Sequence, residues 1–267
     1  MKRNLVLTGL ILNLGALVCA QDVTGDRVVV PARNSGHPRV IKANVSNGGI
    51  EVKTHASQDV IVETGSRHGR QPERTVDGLR RLNLPPNGLE VVEDGDTITV
   101  RLTGAASNSS LYLTVPVDTS LQLLSSNGAL NVDGVHGELD LTSHNGAIIA
   151  TNVAGTVVAD THNGSLKVTM DRVDPNKPIA FTSYNGPIDV TLPADFKANV
   201  KLRASQGDVY TDFDVKLTPG QSLMEPSNSP NGKYRMKSDN VYNGTINGGG
   251  TDATFTTYNG KILIRKK

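Results

Sequence analysis

The sequence predicts an all-β fold: a single-domain β-solenoid with two facing sheets, about two strands per 18-residue coil, and irregular loop insertions. Asn-Gly pairs at Asn127-Gly128, Asn145-Gly146 and Asn163-Gly164 return on a step of 18 residues. A second phrase, Val135-His136-Gly137 and Val153-Ala154-Gly155, keeps the same step. Between these turn signals run short alternations of Val, Ile, Leu and Ala, the pattern of strands with one buried face. With no Trp and 4 Phe in 267 residues, the chain suits a thin aliphatic core.

Residues 1–20 stand apart. Lys2 and Arg3 form a basic start, Leu5 to Val18 is largely apolar, and Val18-Cys19-Ala20 supplies the cleavage positions of a secretory signal peptide. Residues 21–267 are then the solenoid domain of an exported protein: periplasmic, extracellular or associated with the cell envelope. Lipidation at Cys19 is disfavoured because Val18, not a small residue, precedes it. Cys19 is the one cysteine, so the mature domain has neither disulfides nor a thiol nucleophile. No further stretch of residues 21–267 is apolar for long enough to make a spanning helix.

From Asp22 to Thr64 the chain alternates as strands do, with Asn47-Gly48-Gly49 as an early turn between Ile41–Val45 and Ile50–Val52. Gly65 to Pro86 breaks the pattern and carries Arg67, Arg70, Arg74, Arg80 and Arg81 among Gly, Pro and polar residues. These arginines are a candidate basic docking loop for phosphate or uronate groups, or a solvated excursion. Residues 88–102 read as a hairpin turning at Asp94-Gly95 or Gly95-Asp96. Leu111 to Val115 alternates again, and Pro116 ends that run or marks an edge.

From Leu121 the register is legible residue by residue. The sixth, fourth and second residues before each Asn are Leu121, Leu123, Ser125; Leu139, Leu141, Ser143; Val157, Ala159, Thr161; and Ile179, Phe181, Ser183. Two apolar residues and a small hydroxyl thus face inward on one sheet. After each Gly the inward pairs are Leu130 and Val132, Ile148 and Ala150, Leu166 and Val168, and Ile188 and Val190. Asp171 to Pro178 is an insertion at a turn, and Gln206-Gly207 stands in for Asn-Gly in the following coil. Thr211 to Lys237 is a second irregular excursion. Asn243-Gly244 and Asn259-Gly260 then restore the phrase, and Arg265-Lys266-Lys267 reads as a charged end that blocks further stacking.

Asn-Gly recurrence predicts a recurring positive-φ corner with Asn amides stacked on it. The residue before each pair points outward: Ser126, His144, His162, Tyr184, Ser205, Tyr242 and Tyr258. His144, His162, Tyr184 and Tyr258 form a candidate surface-binding stripe that could stack on sugar faces or meet a protein. The alternative is a ladder of cross-strand ring pairs serving the sheet itself. His144 and His162 lack a third ligand in their column, so no metal site is expected. Asp140 and Asp160 lie outward on adjacent coils as a coincidental carboxylate pair, and no GxSxG, HExxH or phosphate-cradling loop occurs. No catalytic residue and no cofactor are expected.

The run from Leu111 to Val190 and the closing GTINGGGTDATFTTYNGKILIRK resemble the bacterial putative-adhesin family, a domain-of-unknown-function group of exported β-solenoid proteins. The resemblance implies the architecture and brings no catalytic or binding residues with it. The expected function is non-enzymatic: an adhesin or cell-envelope scaffold acting by multivalent surface contact, with an envelope polysaccharide or protein as partner. A polysaccharide-acting β-helix enzyme and an envelope signalling module that binds a protein are the alternatives. The 27 Lys and Arg nearly balance the 26 Asp and Glu, which gives no reason to expect nucleic acid as a partner.

Overall fold

A computed structural model describes residues 27–32, 38–65, 88–218 and 241–267, with short strand pairs at Thr75–Val76 with Leu79–Arg80 and Ser227–Asn228 with Tyr234–Arg235. The signal peptide, the arginines of the basic loop apart from the backbone of Arg80, and most of the second excursion lie outside the described residues.

The described chain is all-β but for a short 3-10 turn at Gly104–Asn108, and 20 strands join in one hydrogen-bonded sheet that forms two facing layers around a continuous core. Each rung contributes a strand to each layer. The Asn127 rung is Ser120–Asn127 and Leu130–Asp133. The Asn145 rung is His136–Ser143 and the first part of Ile148–Thr161. The Asn163 rung is the rest of that strand and Leu166–Val173. The Asn185 rung is Ile179–Asn185 and Ile188–Leu192. These rungs pair in parallel, with Leu121 opposite Leu139, Leu139 opposite Val157, and Val158 opposite Ala180.

All the inward residues assigned from the alternation between Leu121 and Val190 are buried, hydroxyls included. One corner differs from expectation. Val153-Ala154-Gly155 is not a loop between strands: Ile148–Thr161 runs through it, bending with a register irregularity at Ala150 to Ala154. Asn152 and Gly155 absorb the bend at φ 53° and 107°.

The stack does not follow chain order at its ends. Val40–Asn47 lies between Ser120–Asn127 and Thr97–Leu102, so the earlier Asn47 rung sits inside a later one. At the other end Thr251–Asn259 and Ile262–Lys266 lie between the Asn185 rung and Ala198–Ala204 with Val209–Thr211. The Gln206 rung is therefore not the next neighbour of Asn185. Nor does Arg265-Lys266-Lys267 cap the stack: its strand is paired on both sides, and Val241–Ile246 with Val215–Thr218 continues the first layer in antiparallel pairing beyond the Gln206 rung. Asn243-Gly244 is likewise no turn; both residues lie within Val241–Ile246, with Gly244 opposite Val200. The alternation assigns columns, but long-range pairing at free edges decides which columns adjoin.

Where the chain enters Val40–Asn47, a buried ion pair closes the core beneath the hairpin of Leu89–Asp94 and Thr97–Leu102. The Arg39 guanidinium lies 3.3 Å from the Glu93 carboxylate, and each side chain is 9% exposed. Arg39 also donates to the carbonyl of Pro31 at 2.7 Å. Removing the carboxylate of such a pair leaves the guanidinium charge uncompensated in the interior, at a cost of about 3–5 kcal/mol. Glu93→Leu should therefore lower the urea midpoint by a shift equivalent to about 3 kcal/mol. Arg39→Met with Glu93→Leu should recover most of it, as equilibrium unfolding of both variants would show.

Candidate functional site

The repeated corner presents two ladders. At its base, the small inward hydroxyl of each rung donates to the turn carbonyl of the adjacent rung: Ser125 to Gly48 at 3.1 Å, Ser143 to Gly128 at 3.1 Å, Thr161 to Gly146 at 2.9 Å, and Ser183 to Gly164 at 3.0 Å. This accounts for a polar residue recurring in a buried slot, since a buried hydroxyl needs a partner. At the rim, the Asn side chains form an exposed amide chain running in one direction. Asn259 donates to Asn185, Asn185 to Asn163, Asn163 to Asn145, Asn145 to Asn127, and Asn127 to Asn47, at 2.8–2.9 Å.

The glycines serve a purpose other than the expected one. Gly128, Gly146, Gly164, Gly186 and Gly260 are not at positive φ. A Cβ on Gly164 would instead lie 2.1 Å from the carbonyl oxygen of Gly146, and the same close approach recurs along the stack. Glycine is required because successive turns touch backbone to backbone.

Beside this corner the outward column carries the rings. His162, Tyr184 and Tyr258 form one stack, with centroids 4.8 Å and 4.9 Å apart and planes within 8° and 6° of parallel. The spacing is that of the strands themselves, about 4.8 Å. His144 holds the same column one rung on, where the ladder continues past Ser143 and Thr161 with the Asn163 N–H donating to the His144 carbonyl at 2.8 Å. Stacking of this kind occupies ring faces: both faces of Tyr184 are covered, and it turns its edge and hydroxyl outward. Cross-strand pairing takes those faces first, so a sugar or a protein would meet this column at ring edges and at its ends. Tyr242, which falls in the antiparallel Val241–Ile246, does not join the column.

Along the foot of the ring stack runs a shallow groove of about 330 Å³. Its floor is the neighbouring outward column, Asp160, Thr182, Thr256 and Arg203 in stack order, fixed by the pairings Asp160 to Thr182, Thr182 to Thr256 and Thr256 to Arg203. Its wall is His162, Tyr184 and Tyr258, giving way to Ser205. Desolvation by neighbouring columns raises the Asp160 carboxyl above the ordinary aspartate range, and the nearby His144 and His162 pull it back in part. Asp140 is no partner to it; that residue lies opposite Val158 and accepts from Gln122 at 3.3 Å.

Of the sequence-predicted stripe, the structure brings His162, Tyr184 and Tyr258 into one site and leaves His144 at its margin. Thr182, Thr256 and Arg203 were missed by reasoning from the ring column alone. The signal was present two residues before Tyr184, Tyr258 and Ser205, since an outward column two positions away runs parallel to the first. Among the described residues no group of three or more His, Cys, Asp or Glu is arranged to hold a metal ion, and no helix is long and apolar enough to cross a membrane.

A profile of the family described as Toastrack DUF4097 matches residues 28–247. Among solved structures, a putative cell adhesion protein from Clostridium sporogenes is similar at 9% identity, covering 91% of this chain and 99% of its own, with a TM-score of 0.44. A putative adhesin from Bacteroides fragilis is similar at 10% identity, covering 91% and 97%, with a TM-score of 0.28. No curated protein matches the sequence.

Proposed function

This chain belongs to the Toastrack DUF4097 family, and from that premise we propose that it is an exported, non-enzymatic contact protein, an adhesin or envelope scaffold that binds through a repetitive face. The observation that carries this reading is the register of the corner: one small module of hydroxyl, ring or polar residue, Asn and Gly recurs on a rigid parallel stack. Its exposed part repeats at strand spacing with no linker between copies. Weak contacts on such a face add without the entropy of tethering, because engaging one rung places the next in reach of a repeating partner. The ring column supplies the apolar area, with Tyr184 44% and Tyr258 36% exposed.

Binding to immobilised envelope polymer, compared with short fragments of the same polymer in solution, tests the reading. The array should bind about 10²–10⁴-fold tighter than the fragment. A variant with His144, His162, Tyr184 and Tyr258 all changed to Ala, shown to unfold cooperatively, should lose most of that gain. Equal affinity for array and fragment, unchanged binding by the variant, or no binding at all would overturn it.

A further inference from the structure

We infer that the groove from Asp160 to Arg203 is a subsite for an uncharged, linear oligosaccharide about three sugar units long; this rests on the contact reading above and names its ligand. Three features of the groove converge on that class. The first is its step. From Asp160 to Arg203 is three rung spacings, about 14 Å, and a pyranose chain lying along the stack advances close to one rung per sugar. An extended peptide does not keep this step, because its same-side residues repeat every ~6.6–6.8 Å. A polyproline helix repeats every third residue, at ~9.3 Å, and spans two rungs. Such segments dock in grooves lined by several aromatic faces, however, and here the pairing covers both faces of Tyr184 and one of Tyr258.

The second feature is its polar lining. The central rungs offer hydroxyls, Thr182 and Thr256 on the floor and the phenols of Tyr184 and Tyr258 on the wall. Hydroxyls both donate and accept, which matches a ligand made of hydroxyls. The charged groups of the floor, Asp160 and Arg203, sit at opposite ends with opposite signs. A polyanion would meet the carboxylate and a polycation the guanidinium, whereas a neutral chain meets both as hydrogen-bond partners. The third feature is the end of the wall. Ser205 takes the next position of the ring column on the outer rung, where the ladder continues past Ala204 and Thr257 with the Gln206 N–H donating to the Tyr258 carbonyl at 2.8 Å, so the side of Tyr258 turned to that rung faces a column position without a ring. The drop from phenol to serine makes a step in the wall, and a terminal sugar would stack there on Tyr258.

Titration of the protein with uncharged linear oligomers of one to six units tests this, using β-1,4-glucose, β-1,4-N-acetylglucosamine, β-1,3-glucose and α-1,4-glucose series. Polygalacturonate and a proline-rich decapeptide serve as comparisons. At least one uncharged series should gain tenfold or more in affinity from one to three units and less than twofold from three to six. Thr256→Val keeps the β-branched shape and removes the hydroxyl; Ser205→Tyr extends the ring column and fills the step. Each should weaken trimer binding at least tenfold with an unchanged unfolding midpoint. Failure of every neutral series, tighter binding of polygalacturonate, or decapeptide binding that Thr256→Val abolishes would overturn the assignment. If immobilised polymer is held equally by wild type and both groove variants, the groove assignment falls while multivalent contact stands.

Discussion

Gly164→Ala is expected to cost about 4 kcal/mol, more than one added methyl normally does. The new Cβ would meet the carbonyl oxygen of Gly146 at 2.1 Å and its carbon at 2.6 Å. Neither can rotate away, because the Gly146 turn is itself held by the turn below it. Opening the corner enough to admit the methyl also breaks the bond from Thr161 to the Gly146 carbonyl, adding about 1 kcal/mol to an overpacking cost of about 3 kcal/mol. Urea unfolding measures the loss, and Gly95→Ala is the control. Gly95, in the hairpin turn, has φ 57° and open space around it, so its alanine variant bears conformational strain alone, about 1–2 kcal/mol. Equal losses at the two sites would mean that the repeated glycine serves backbone conformation rather than the contact between turns.

Phe181→Ala should be similarly damaging, at about 3–5 kcal/mol. Phe181 is fully buried and stacks on Phe255 at 5.3 Å between centroids. In its inward column the neighbours are Ala159 on one side and, beyond Phe255, Leu202. The small Ala159 leaves nothing on that side to fill a cavity. Because the two rings touch, Phe181→Ala with Phe255→Ala should cost less than the sum of the single changes. Additive losses in chemical unfolding would show that the rings pack independently.

The difference between these two positions also marks what the sequence made legible. Phe181 was assigned inward by alternation alone, as were Leu141, Thr161 and Val168, and all are buried. Alternation works here because a one-residue slip would turn every side chain of a strand to the other face. The role of Gly164 was not legible in that way. Asn-Gly carries a local preference for positive φ, and what overrides it is contact with a turn 18 residues away. The ring column was read correctly as outward, but which faces remain open depends on the planes of His162, Tyr184 and Tyr258, and periodicity does not specify planes. The order of the rungs failed for a related reason. Ile41 and Ile98 carry the same column signature as Leu121, and no local feature says which of them abuts it.

That exchanged order at the two ends has a mechanical consequence. The strand Ile262–Lys266 runs parallel to Ile188–Leu192 on one side and to Val209–Thr211 on the other. Tension applied at Lys267 along the strand direction loads both ladders in shear, so their hydrogen bonds resist together rather than parting one at a time. A stack ending in sequence order would offer its last strand at an open edge, where the same pull is resisted by one ladder instead of two. The exchanged rung therefore acts as a clamp, and the chain should hold under load at its C-terminal strand for longer than the thickness of a single rung suggests.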